Sequence, residues 1–357
     1  VTKVVIAAGG TAGHVVPALA VADALRAEGA QVAFVGGDRA EAELVPAAGY
    51  RLHRIHVEGI SRSNPLKAAR AVGRAAGALR AARRILREER PDVVMGGGGY
   101  VAGPVGAAAL RAKLPLVLTE ADSHLGLTNR LLAGRATRVC LAFPLPGREG
   151  DRYRVTGRPV PPPATDRAAA RARFGLADGD TCLLVFGGSL GARSLNEATI
   201  GAYGTAAPAG LRVLHAAGRR DHDDLAARLG DPAPAHYDLR PYIDGFGEAL
   251  LACDLCVARS GGSVFEVAAA GRPAVLVPYP HAAADHQTGN ARWMVDGGAA
   301  VLVPDAELDA DRLRREVDAL LADRDRLAAM AAASAGLARP DAAAAIAAEV
   351  LAAARAS

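Results

Sequence analysis

Three glycine-rich segments each follow an apolar run. They are Gly9, Gly10 and Gly13 in AAGGTAGHVVPA, Gly96 to Gly99 in MGGGGYVAGP, and Gly187, Gly188 and Gly191 in FGGSLGARSLNEA. Without a Cβ the backbone can turn sharply and approach a ligand, and a helix that follows presents free N–H groups and partial positive charge to a phosphate. A diphosphate is the expected guest. Taken singly each loop also fits a plain tight turn, and none completes the dinucleotide fingerprint or carries a phosphate-loop lysine. Three of them, divided between the two halves of the chain, point to two phosphorylated ligands and to group transfer rather than hydride transfer.

Polar side chains stand at the same strand ends, and each has two readings. His14 follows the first loop, where a neutral imidazole could take a proton from an attacking hydroxyl or simply cap a helix start. Glu120 and Asp122 close the run LPLVLTEAD beside His124, as a base and acceptor-orienting pair or as solvated loop carboxylates. Glu266, in RSGGSVFEVAAAGRP, could accept both hydroxyls of a ribose or only favour a helix N-terminus. Asp285, His286, Gln287 and Asn290 in DHQTGNA suit sugar hydroxyls, and equally suit helix capping.

The elements that must position these groups alternate along the chain. KVVIAA, AQVAFVGG, PDVVMGGGG, LPLVLTEA, ATRVCLAF and YRVTG are short apolar runs separated by alanine- and leucine-rich helical stretches. A second series runs from CLLVFGG through RVLHAAG, HYDLRPYI, DLCVARSGG and PAVLVPYP to AAVLVP. Such alternation predicts an α/β fold with parallel sheets covered on both faces. The proline cluster GRPVPPPATD places the boundary between residues 156 and 166. Domains over 1–158 and 159–339 are expected, with a C-terminal helix over 340–357 packing back on the first. Two doubly wound domains facing each other across a cleft would bring the carboxyl ends of both sheets to one site.

At 357 residues with 51% hydrophobic and 22% charged positions, the chain is long enough for two globular cores and is neither disordered nor fibrous. Its four cysteines are too few and scattered for a disulfide framework, which favours a reducing compartment. The CDLC pair lies in an apolar run without a partner cluster and reads as structural rather than metal-binding. VTKVVIAAGG lacks the pattern of a signal peptide, and no apolar stretch reaches membrane-spanning length, so any membrane contact is expected to be peripheral. The net charge of +4 is almost wholly arginine, and eight basic residues without an acidic one fall in residues 61–87. That segment is either a solvated helix face or a patch for anionic lipid. Nucleic acid is disfavoured as a partner, because no aromatic ring interleaves with the arginines to stack on bases.

Taken together, GGTAGHVVPALAVA, GGGGYVAGP, GLTNRLLA, GGSLGARSLNE and ADHQTGNA resemble the MurG family of N-acetylglucosaminyltransferases, within the GT-B glycosyltransferases of two Rossmann-like domains, over almost the whole chain. The resemblance implies transfer of GlcNAc from UDP-GlcNAc to the MurNAc 4-hydroxyl of lipid I, with inversion, to give lipid II at the cytoplasmic face of the membrane. His14 and Glu120 would deprotonate or orient that hydroxyl. The first domain would hold the acceptor through Thr11, Gly13, Gly98, Gly99, Tyr100, Asp122 and Asn129. The second would hold the donor through Ser189, Gly191, Asn196, Tyr242, Ile243, Gly262, Ser263, Glu266, Gln287 and Asn290, with Arg158 assisting. No metal or other cofactor is implied, since backbone donors could stabilise the leaving UDP. The basic segment from Arg62 to Arg87 would meet anionic inner-leaflet lipids. Thr119, Glu120, Ala121 and Asp122 stand where the family usually shows HEQN, Ala12 replaces a loop glycine, RSGGSVFE is one residue shorter than usual, and Pro161 replaces an arginine. A related glycosyltransferase with another nucleotide sugar and a natural-product or other lipid acceptor is the alternative.

Overall fold

The computed structural model describes residues 1–57, 65–188 and 191–356, apart from the side chains of 65–75 and 283. It divides into two compact units, Val1–Val160 with Arg339–Ser357 and Pro161–Ala338. Each is a parallel sheet wrapped by helices.

The first unit alternates β1 (Lys3–Ala7), α1 (Ala12–Ala27), β2 (Gln31–Gly36), α2 (Ala40–Ala47), β3 (Arg51–Arg54), α3 (Pro65–Glu89), β4 (Val93–Gly96), α4 (Ala102–Arg111), β5 (Leu116–Glu120), α5 (Leu127–Leu132), β6 (Arg138–Leu141) and β7 (Tyr153–Val155). The strands lie in the order β3-β2-β1-β4-β5-β6-β7. Along β1 the period of two sends Val4 and Ile6 into the core beneath α1, while Val5 and Ala7 enter the core on the other face with Ala82, Ile85 and Val105. Burial on both faces explains the continuous apolar runs. The exception is β3, whose sequence RLHR has no such run; as the edge strand it is half solvated, and sequence reading passed over it.

In the second unit the elements are α6 (Arg167–Arg173), β8 (Thr181–Phe186), α7 (Arg193–Tyr203), β9 (Leu211–Ala216), α8 (His222–Leu229), β10 (Tyr237–Arg240), α9 (Phe246–Ala252), β11 (Leu255–Ala258), α10 (Val264–Ala269), β12 (Ala274–Leu276), α11 (His286–Asp296), β13 (Ala300–Leu302), α12 (Ala310–Ala322) and α13 (Arg324–Leu337). Their strand order is β10-β9-β8-β11-β12-β13. Cys256 lies on β11 and Cys253 just before it; both are buried, with their sulfurs 3.5 Å apart.

The chain then returns to the first unit as α14 (Ala342–Arg355). Alanine favours the helix, and Ile346, Ala347, Val350 and Leu351 form an apolar stripe packed with Val15, Ala18, Val21 and Leu25 of α1. Glu349 fixes its rotation through Arg138 at 3.1 Å and Arg154 at 3.5 Å. Both sheets reverse strand order beside their first strand, between β1 and β4 and between β8 and β11. Ligands of such sheets bind outside the carboxyl ends of the strands at that reversal. In register Ala7 opposes Gly96 and Phe186 opposes Ala258, so the loops that follow leave each sheet at one level.

Candidate active site

At the reversal of the first sheet, the loops after β1, β4 and β5 enclose a cavity of about 300 Å³. Its lining includes Gly13, His14, Gly98, Gly99, Tyr100, Glu120, Asp122, Asn129 and Arg158. The two glycine loops touch. Gly99 has φ +76°, and a Cβ there would collide with the Gly9 carbonyl oxygen, so only glycine serves at this crossing. Helix α1 starts at Ala12, and its first amides, on Ala12 and Gly13, have no carbonyl one turn back to bond. These are the donors a phosphate would meet.

Glu120 ends β5 and is buried, at 8% exposure. It accepts from Asn129 Nδ2 at 2.9 Å, Gly126 N at 2.8 Å and Asp122 N at 3.2 Å. Burial raises its pKa above the ordinary carboxylate value, opposed by those three hydrogen bonds and reinforced by the charge of Asp122. Asn129 has its amide orientation fixed, because Nδ2 also donates to the Thr119 carbonyl at 2.8 Å. Its Oδ1 is therefore left as a buried acceptor that no donor among the described residues reaches. An unsatisfied acceptor beside a buried carboxylate, on a cavity wall, is suited to a ligand hydroxyl or amide.

His14 sits half-buried on α1, with Nδ1 3.3 Å from Thr11 Oγ1. Burial lowers its pKa and the Arg158 guanidinium lowers it further, against Asp122 and Glu41, so the ring is neutral at pH 7. If Thr11 donates to Nδ1, the proton resides on Nε2. Arg158 donates to the Gly13 carbonyl at 2.8 Å, which places it on the first glycine loop within the first unit.

The second unit has a cavity of about 520 Å³ at its own reversal, lined by Phe186, Gly188, Tyr242, Ile243, Phe246, Ser263 and Glu266 among others. Tyr242 is 58% exposed while Ile243 is buried, which gives an aromatic face beside an apolar wall. Ser263 precedes α10 and Glu266 lies in its first turn. Gly262 adjoins them in the loop after β11. Ser189 lies outside the described residues. Gly191, at φ +75°, rests so closely on the Ala217 carbonyl that a Cβ would overlap it.

Asn196, Gln287 and Asn290 are held by the protein itself. Asn196 is buried; its Nδ2 donates to the Ala217 carbonyl at 2.9 Å and to Asp221 at 3.0 Å, and its Oδ1 lies 3.0 Å from His215 Nε2. With the amide so oriented, His215 donates from Nε2 and accepts at Nδ1 from Tyr237, 2.8 Å away. Burial lowers the His215 pKa to about 3, so the ring stays neutral, and the network supports the turn under Gly191. Gln287 Oε1 accepts from the Tyr279 amide at 2.9 Å, and Asn290 Nδ2 donates to the Ser260 carbonyl at 3.0 Å. Gln287 thereby fixes the loop after β12, and Asn290 the loop ahead of α10. Arg259 is anchored there too, on Asp305 at 2.6 Å and Ser194 at 2.8 Å.

Arg80, Arg83, Arg84 and Arg87 are exposed on α3, opposite the buried Ala78, Ala82 and Ile85. Arg62 lies outside the described residues, as do the side chains of Lys67, Arg70 and Arg74. Sequence reading missed Glu41. It is buried on α2 and accepts from Gly10, Gly37 and Tyr100. Its partners are far away in sequence, so no local signal marked it.

The chain resembles known proteins over nearly its whole length. Residues 4–141 match the glycosyltransferase family 28 N-terminal domain and residues 182–346 the glycosyltransferase family 28 C-terminal domain. A protein of Moorella thermoacetica named UDP-N-acetylglucosamine--N-acetylmuramyl-(pentapeptide) pyrophosphoryl-undecaprenol N-acetylglucosamine transferase is 42% identical, over 95% of this chain and 96% of its own length. A protein of the same name from Frankia casuarinae is 43% identical, over 98% and 95%. The crystal structure of Acinetobacter baumannii MurG superposes with a TM-score of 0.80 at 31% identity, covering 98% of this chain and 99% of that one. With both domains matched and the glycine loops meeting at the reversal of each sheet, the chain belongs to glycosyltransferase family 28, among the MurG N-acetylglucosamine transferases.

Proposed function

We propose that this protein transfers GlcNAc from UDP-GlcNAc to the 4-hydroxyl of MurNAc in lipid I, giving lipid II for peptidoglycan. Relatives matched over nearly their whole length are named as N-acetylglucosamine transferases of N-acetylmuramyl-(pentapeptide) pyrophosphoryl-undecaprenol, which supports the reading. The observation that carries the reading to this chain's own residues is that Glu120, held by Asn129 Nδ2, lies beside the unsatisfied Asn129 Oδ1 on the wall of a cavity bounded by two glycine loops. The loops and the first amides of α1 hold the acceptor's diphosphate, and Thr11, Gly98, Gly99, Tyr100 and Asp122 shape the cavity around it. Asn129 and His14 orient the sugar, and Glu120 takes the hydroxyl proton as the oxygen attacks C1 of GlcNAc. The bond from C1 to the UDP oxygen breaks with its electron pair, so the α-linked donor gives a β-linked product and free UDP.

In the second unit, Tyr242 and Ile243 receive the uracil, Glu266 the ribose hydroxyls, and Ser263 with the third glycine loop, Ser189 included, the diphosphate. Gln287 and Asn290 act by setting the loops that meet GlcNAc, and Asn196 by supporting the turn at Gly191. Arg158 contributes a fixed cation beside His14. The lipid carrier requires a membrane surface, and the protein meets anionic lipid peripherally through the exposed arginines of α3. Leu127, which lines the cavity, and Leu131, one turn further along α5, are 47% and 71% exposed and give the prenyl chain an apolar path. No helix among the described residues is long and apolar enough to cross a membrane.

The test is purified protein with UDP-GlcNAc and a short-chain lipid I analogue. Release of UDP with a β1→4-linked disaccharide product is expected. Failure with this acceptor but turnover with another would assign a different substrate, and retention at C1 would overturn the displacement.

A further inference from the structure

We infer that Glu41, which lines neither cavity, is the positioning residue that locks the two acceptor-side glycine loops into one phosphate-binding shape. The inference rests on the acceptor reading of the first unit.

The geometry is unusual for a carboxylate. Glu41 lies in the first turn of α2 with no exposed surface. Its Oε2 accepts from Gly10 N at 2.9 Å, in the first loop. Its Oε1 accepts from Gly37 N at 2.8 Å, ahead of α2, and from Tyr100 OH at 2.9 Å, in the second loop. The backbone closes the same clamp from the other side, since the Ala40 amide reaches the Gly10 carbonyl at 3.4 Å. Gly10 is thus held at its amide and its carbonyl by one helix start, while Tyr100 is drawn to the same carboxylate beneath Arg39, whose guanidinium lies 5.2 Å from the ring.

Three segments remote in sequence therefore converge on one group. Burial of an anion disfavours it, yet the pKa of Glu41 stays below the ordinary value, because the amides of Gly10, Gly37 and its own residue and the Tyr100 hydroxyl all stabilise the charge. With the Gly10 amide occupied beneath the loop, the amides of Ala12 and Gly13 remain to face a ligand. The clamp also sets the cavity wall, because Tyr100 is itself clamped and lines it, with Gly98 two residues before Tyr100 and His14 one helical turn after Gly10. A glutamine would hold one oxygen in place but present an NH₂ to a donor, so one arm of the clamp must open.

The experiment compares Glu41→Gln and Tyr100→Phe with the parent in steady-state assays varying UDP-GlcNAc and the lipid I analogue separately, alongside calorimetric UDP titration and thermal unfolding. Turnover by the parent is read first, and its absence would sink the acceptor reading itself. With the parent active, Glu41→Gln is expected to raise the acceptor KM about tenfold or more, with the donor KM and the UDP Kd within about twofold. Tyr100→Phe removes a single arm and is expected to give a smaller rise of the same kind, about threefold. Unchanged acceptor KM in both variants, or an equal loss of donor and acceptor binding, would overturn the inference. If Glu41→Gln unfolds, Tyr100→Phe decides alone: a folded variant with parental acceptor KM refutes the clamp.

Discussion

Replacing Glu120 with glutamine separates chemistry from architecture. The amide oxygen can keep the bonds from Asn129 at 2.9 Å and Gly126 at 2.8 Å, which leaves the new NH₂ against the Asp122 amide at 3.2 Å. One hydrogen bond becomes a donor facing a donor, a cost of about 1–2 kcal/mol and a melting shift of about 2–8 °C. Loss of a general base costs far more, about 10²- to 10⁴-fold in turnover, or about 3–5 kcal/mol of barrier. The assay is UDP release at saturating UDP-GlcNAc and lipid I analogue, with UDP affinity by calorimetry as the control. The pH profile adds a second reading. Protonated Glu120 cannot accept the hydroxyl proton, and burial raises its pKa, so parental kcat/KM for the acceptor should fall as pH drops through a value above the usual carboxylate range. That limb should be missing from the residual activity of the variant. Parental turnover by Glu120→Gln, or the same acid limb in both proteins, would refute the assignment of the base.

His14→Ala is expected to lower turnover about tenfold to ten-thousandfold with UDP affinity retained; parental kinetics would remove the imidazole from the reaction. Glu266→Ala should weaken UDP binding by about 1–3 kcal/mol through the lost ribose acceptor, measured as a change in Kd, and an unchanged Kd would contradict that contact. Changing Arg80, Arg83, Arg84 and Arg87 together to glutamate should abolish sedimentation with anionic vesicles while UDP affinity stays the same. Equal vesicle binding would leave the α3 arginines as a solvated face.

Much of the architecture was readable because its causes are local. A strand buried on both faces must be apolar throughout, and a loop that crosses another backbone must carry glycine, as at Gly99 and Gly191. Where solvation replaces burial the signal fades, which is why β3 carried none. Glu120 was legible as the carboxylate that ends β5, and Asn129, on α5, only through the family resemblance of GLTNRLLA. Glu41 was not, because its bonds reach back 31 residues to Gly10 and forward 59 to Tyr100, contacts that exist only after the sheet assembles. Asn196 illustrates the converse. A polar residue at a helix start beside a glycine loop invites a ligand role, yet tertiary contacts engage its amide with His215, Ala217 and Asp221. Arg158 likewise follows the Gly157 turn, but only the folded chain shows its guanidinium on Gly13.

The division of labour between the two units is tested most directly by a crystal structure with UDP-GlcNAc and the soluble headgroup of lipid I bound together. The account predicts uracil beside Tyr242 and Ile243, ribose on Glu266, and the MurNAc 4-hydroxyl within hydrogen-bond reach of Glu120. Nucleotide diphosphate seated instead against His14 and Glu120 would contradict it.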